Sequence, residues 1–102
     1  MRKKFNEKLL TELRNLKTED VFKLLGLYYT IDRDFVPVGD KTTKRFNVSV
    51  NNQVFEIVST GVKWFDTRLK KGGGGAIDLV MHLFDIDFVN AVKKLTSHRI
   101  TI

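Results

Sequence analysis

The chain has 102 residues, 42% of them hydrophobic and 11% aromatic, which suits one small domain around a single core and argues against a disordered tail. Cysteine is absent, which excludes disulfides, a thiol nucleophile and any cysteine-held zinc site. The net charge of +6 favours a polyanionic partner.

The N-terminal "MRKKFNEKLL" is basic, but its charges interrupt any signal-peptide core, and no later apolar run approaches the roughly 20 residues that cross a membrane. The expectation is a cytoplasmic protein without a membrane partner. Phe5, Leu9, Leu10, Leu13 and Leu16 recur at helical spacing and predict an amphipathic helix over residues 3–16. Thr18 is an N-cap candidate for a second short helix, with Glu19 and Asp20 in its first turn, Val21, Leu24 and Leu25 along its apolar edge, and Gly26 as its stop. Core packing explains both helices.

The stretch "YYTIDRDFVPVGDKTTK" then loses helical period, and Pro37 with Gly39-Asp40 reads as turn or loop. Strand signals follow. "RFNVSV" alternates with Phe46, Val48 and Val50 on one face. Asn51-Asn52 tolerates the positive φ of a tight turn, and "QVFEIV" resumes with Val54, Phe55 and Ile57. Gly61 breaks the run before "VKWFDT", a third strand. After the glycines, Ile77, Val80, Met81 and Phe84, widened by Leu79 and Leu83, predict a largely buried helix. Asp85 or Asp87 caps a last helix carrying Phe88, Ala91, Val92 and Leu95, and "HRITI" suggests a short terminal strand. The fold class expected is α+β, a single domain over 1–102 with a small antiparallel sheet of about three strands packed on C-terminal helices, preceded by an N-terminal helical segment over 1–30.

The unusual stretch is "RLKKGGGGAIDLVMHL". Between residues 60 and 75, Lys63, Arg68, Lys70 and Lys71 stand against Asp66 alone. Gly72, Gly73, Gly74 and Gly75 let another backbone or a ligand approach closely, and a helix start behind them exposes N–H groups at the positive end of a dipole, an arrangement that favours phosphate. Two nucleotide motifs fail here. A Walker A loop needs Lys and Ser or Thr after its last glycine, where Ala76-Ile77 stand, and no parallel sheet supports a dinucleotide fingerprint. Asp78, near the third helical position, is expected as a structural cap that would compete with an anion. Trp64 and Phe65 are strand neighbours facing opposite sides, so one is expected in the core and the other beside the cations, where it would stack on a base of single-stranded nucleic acid.

The order of these elements resembles the zinc-binding N-terminal domain of bacterial DnaG-type primases. The hairpin "RFNVSVNNQVFEI", the strand "KWFD", the glycine turn and "GAIDLVMHLFDIDFVNAVKKL" fall in that domain's order. The run from Asp87 to Leu95 matches its Ser-Phe-x-Glu-Ala-Val-x-x-Leu helix, and the similar core spans residues 45–97. Those primases hold zinc through three cysteines and a histidine, whereas this chain has no cysteine. It is more similar to zinc-free relatives that precede Toprim domains in plasmid replication and mobilisation proteins. There, packing by Trp64, Phe65, Ile77 and Met81 would replace the metal as the staple. The resemblance implies a non-enzymatic module, without metal or cofactor, that binds single-stranded DNA for a primase, helicase or relaxase. Lys63, Arg68, Lys70 and Lys71 would contact phosphates, Trp64 or Phe65 would stack, and Gly72 to Gly75 would let the strand lie close. A module that docks a protein partner through an exposed Leu9-Leu13-Leu16 stripe is the alternative. Asp32, Asp34, Asp66, Asp85 and Asp87 do not follow strands as a Toprim acidic triad would, and His82 and His98 are expected to be structural.

Overall fold

The computed structural model describes residues 6–99. Four helices and five strands follow in the order α1 (Glu7–Arg14), α2 (Thr18–Leu24), β1 (Tyr29–Ile31), β2 (Lys44–Val50), β3 (Gln53–Thr60), β4 (Lys63–Asp66), β5 (Lys71–Gly74), α3 (Ala76–Phe84) and α4 (Phe88–Arg99). The five strands form one antiparallel meander ordered β1-β2-β3-β4-β5, which corrects the expected sheet of about three strands. Tyr29 to Ile31, within a stretch expected to be loop, pairs with Val48 to Phe46. The glycine run, expected to be a turn, is itself most of β5 and pairs with β4.

Local chemistry accounts for most boundaries. Asn6 caps α1 by accepting from the Lys8 N–H at 2.7 Å, while residues 3–5 of the expected longer helix lie outside the described residues. Thr18 is the first residue of α2 rather than its cap: Lys17 holds the cap position, and the Thr18 hydroxyl is buried against Ser59 of β3 at 2.6 Å. Gly26, at φ 66°, ends α2, with the Leu27 N–H donating to the Phe22 carbonyl. Asn51 and Asn52, at φ 50° and 67°, make the two-residue turn between β2 and β3. Asp85 closes α3 in a left-handed conformation, and Asp87 accepts from the Asn90 N–H at 2.9 Å at the start of α4. His98 and Arg99 continue α4, and residues 100–102 of the expected terminal strand lie outside the described residues.

One face of the sheet is covered by the four helices. Phe46, Val48 and Val50 of β2, Phe55 and Ile57 of β3 and Trp64 of β4 point into the layer that also holds Leu13, Phe22, Leu79, Val80, Val92 and Leu95. Val54, one residue before Phe55, lies on the opposite face. Leu10 and Leu13 are buried and Leu9 and Leu16 pack on the same core, so α1 keeps no exposed leucine stripe for a partner. Among the described residues the second face of the sheet carries no helix, and its residues set the functional question.

Candidate nucleic-acid interface

Strand alternation sorts the β4 residues into two environments. Trp64 is 5% exposed and Asp66 fully buried on the helix side, while Phe65 is 44% exposed on the open side. Register extends the open side into rows: Phe65 lies across from Val58 of β3 and Gly72 of β5, and Val58 lies across from Arg45 of β2. Asn47 and Glu56 form the next row. The open face thus presents an aromatic ring among aliphatic, polar and charged side chains of both signs, and the ring is one on which a base can stack.

The expected phosphate contacts do not form one cluster. Lys63 shares the open face with Phe65 and lies across from Gly74. Arg68 folds back towards the Val54 carbonyl at 3.5 Å. Lys70 adopts φ 56° in the β4–β5 turn. Lys71 pairs with Asp66, which places its side chain on the helix side. Among the described residues none of these four cations makes an ion pair, so their charge stays available to a ligand. Arg45 differs: its guanidinium is bonded to Asp32, lies 4.0 Å from Glu56 and covers the Phe35 ring at 5.1 Å.

The glycines divide by cause. A Cβ on Gly73 would stand 2.9 Å from Trp64 Cζ2, and one on Gly72 would stand 3.0 Å from Phe65 Cδ1 and 3.1 Å from the Trp64 carbonyl. Each aromatic of β4 therefore packs over the glycine opposite it, filling the space a side chain would take. Gly75 adopts φ 89°, which favours glycine, and a Cβ there would stand 3.4 Å from the Arg14 carbonyl oxygen. Gly74 has neither constraint. Gly75, Ala76 and Ile77 are buried at the start of α3, against the carboxyl end of α1, so this helix start is no open anion cradle. Asp78 is exposed in the first turn and complements the dipole; no hydrogen bond from a helix N–H to its carboxylate is seen among the described residues.

Behind β4 lies a polar group that the sequence reading missed. The Asp66 carboxylate accepts from the Arg68 N–H at 2.9 Å, the Leu69 N–H at 3.0 Å and His82 Nε2 at 2.7 Å. Burial pushes the Asp66 carboxyl up, but the His82 bond and the two backbone N–H groups outweigh it and hold the group below its ordinary value of 3.8. The His82 ring stacks on the Trp64 indole with centroids 5.1 Å apart. The indole N–H is buried without an acceptor. One signal was available: Asp66 stands two places from Trp64, so a strand that buries the indole also buries the carboxylate, which then needs partners. The sequence separation of 16 residues hid the identity of that partner.

Among the described residues no group of three or more histidine, aspartate or glutamate side chains is placed to hold a metal ion, and no helix is long and apolar enough to cross a membrane. No family model and no solved structure matches the chain. The chain is similar to a 65 kDa protein of Zymomonas mobilis subsp. mobilis, 30% identical over 89 residues. That match covers 83% of this chain and 13% of the relative, so the chain spans about an eighth of the relative's length.

Proposed function

We propose that the chain is a non-catalytic, zinc-free primase-type module that binds single-stranded DNA in a plasmid or phage replication or mobilisation system, beside a primase, helicase or relaxase in the cytoplasm. The observation that carries this reading is Phe65, 44% exposed on the face that no described helix covers, with unpaired Lys63 on the same strand, Arg68 and Lys70 at its turn, and Lys71 just beyond on the helix side. Phe65 is the stacking residue in this reading, because Trp64 is core. Bases lie over Phe65 and Val58, and the backbone runs past Lys63 and the cations of the turn. Affinity then depends on released counterions and falls steeply with salt.

The test is a fluorescence-anisotropy titration of a labelled single-stranded oligonucleotide at low and moderate salt. Binding that weakens with salt, and that Phe65→Ala and Lys63→Ala each reduce without loss of fold, is expected. Absence of binding at low salt, or binding indifferent to removal of the Lys63, Arg68, Lys70 and Lys71 charges, overturns the reading.

A further inference from the structure

Among the described residues, the hydrogen-bonding groups on the outer edge of β5 have no partner. The Gly75 N–H donates to the Val62 carbonyl at 2.8 Å, which makes residues 62 and 75 a hydrogen-bonded pair. Antiparallel ladders alternate, so Gly73 and Lys71 also turn their backbone groups towards β4, while Gly72 and Gly74 turn theirs outwards. The β3–β4 ladder agrees: the Thr67 N–H donates to the Glu56 carbonyl, which directs the backbone groups of Phe65 and Lys63 to β3 and those of Trp64 and Asp66 to β5. The free edge therefore offers two N–H donors and two carbonyl acceptors in alternation.

Gly74 adds a second observation. A Cβ there would meet nothing within 4 Å, and its φ is not in the left-handed region, so neither packing nor backbone conformation within this chain calls for glycine. Glycine weakens a strand and marks places where another backbone comes close. On the open side Gly74 is bare and Phe65 lies over Gly72, so the side chains of an incoming strand have room at the Lys63 end of the edge.

We infer that the β5 edge docks an extended acidic segment of a partner protein, which adds to the sheet as a sixth strand. The inference goes beyond the DNA reading: it uses the backbone edge of the sheet, shares Lys63, Lys70 and Lys71 with that reading, and is separated from it by Gly74→Pro, which alters the edge alone. Three arguments select this occupant. A phosphodiester backbone supplies acceptors alone and would leave the Gly72 and Gly74 carbonyls unmatched, whereas a peptide strand supplies both partners. Lys63, across from Gly74, and Lys70 and Lys71, at the other end of the edge, carry unpaired positive charge that suits acidic side chains. A second copy of this chain would set the same cations against each other in a protein already at +6. Residues of the incoming strand that face the open side meet Lys63 and are acidic; the one opposite Gly73 faces the helix side beside Trp64 and Asp78 and is uncharged.

A labelled peptide of alternating glutamate and valine, titrated into the whole chain and followed by anisotropy and by amide spectra, tests this. Saturable binding is expected, with shifts concentrated on the amides of Gly72 and Gly74. Gly74→Pro removes one outward donor without touching the β4 ladder and should weaken binding by about tenfold or more. Gly74→Ala keeps that donor and should bind as the parent does, which separates an edge effect from misfolding. A lysine–valine peptide should not bind. No saturable binding of the acidic peptide, equal binding by Gly74→Pro, shifts confined to Phe65 and Val58, or a dimer of the chain that Gly74→Pro dissolves would each overturn the inference.

Discussion

Trp64 and Phe65 are adjacent in one strand and live in different chemistry. Trp64 is 5% exposed, lies over Gly73 and stacks on His82; Phe65 is 44% exposed and lies over Gly72 on a face that no helix covers. One ring holds the glycine strand to the core, and the other decorates the sheet. The contrast teaches that a pair of aromatics beside a basic turn is not one binding unit. The pleat divides it into a structural half and a candidate functional half.

Substitutions on the two sides should separate stability from binding. Trp64→Ala removes a buried indole and uncovers Gly73, and should lower unfolding free energy by about 3–5 kcal/mol in urea titrations. If its loss matched that of Phe65→Ala, the division between the two sides would fail. Asp66→Ala leaves His82 and the Arg68 and Leu69 N–H groups without their common acceptor, and a loss of about 3 kcal/mol is expected. The Asp66 carboxyl is held below its ordinary value, so its contribution is complete above the titration range of an unfolded aspartate, near pH 4, and is lost as pH falls through the folded value. Urea midpoints measured between neutral pH and strong acid should drop less steeply for Asp66→Asn than for the parent; parallel curves would remove Asp66 from the acid response.

Smaller effects sharpen the comparison. Gly73→Ala forces a methyl to 2.9 Å from the buried Trp64 ring and should destabilise by about 1–3 kcal/mol, whereas Gly74→Ala meets open space and should be neutral or slightly stabilising. Phe65→Ala should weaken oligonucleotide binding by about 1–3 kcal/mol while changing stability far less than Trp64→Ala does. Lys63→Ala should change stability by less than about 0.5 kcal/mol and lower the slope of log affinity against log salt by about 0.7, the share of one phosphate contact on a single strand.

The same contrast explains what could be read in advance. The β2–β3 hairpin was legible because Phe46, Val48 and Val50 alternate cleanly and Asn51-Asn52 supplies positive φ. Helices α3 and α4 were legible from their apolar spacing. The expected sheet was too small because β1 and β5 have no strand signature of their own. Tyr29 to Ile31 is three residues long beside an irregular loop, and only its pairing with β2 defines it. β5 is made of Lys71 and glycines, a composition disfavoured in strands, and is held through the rings of β4. Both are consequences of tertiary contact. The four cations were visible in the sequence, but their division between the open side, the turn and the helix side depended on a register that began with those unread strands.

Trp64 is the sole tryptophan, so emission excited beyond the absorption of the two tyrosines comes from one enclosed indole stacked on an imidazole. Its emission should lie to the blue of a solvated indole and resist iodide in the native protein. It should then shift red in a single step on unfolding, because the group that glows is also the group that staples β4 to α3. A ligand resting on the Phe65 side lies on the face opposite that indole. Tryptophan fluorescence is thus a gauge of folding in this protein, and a fluorophore on the ligand is the gauge of binding.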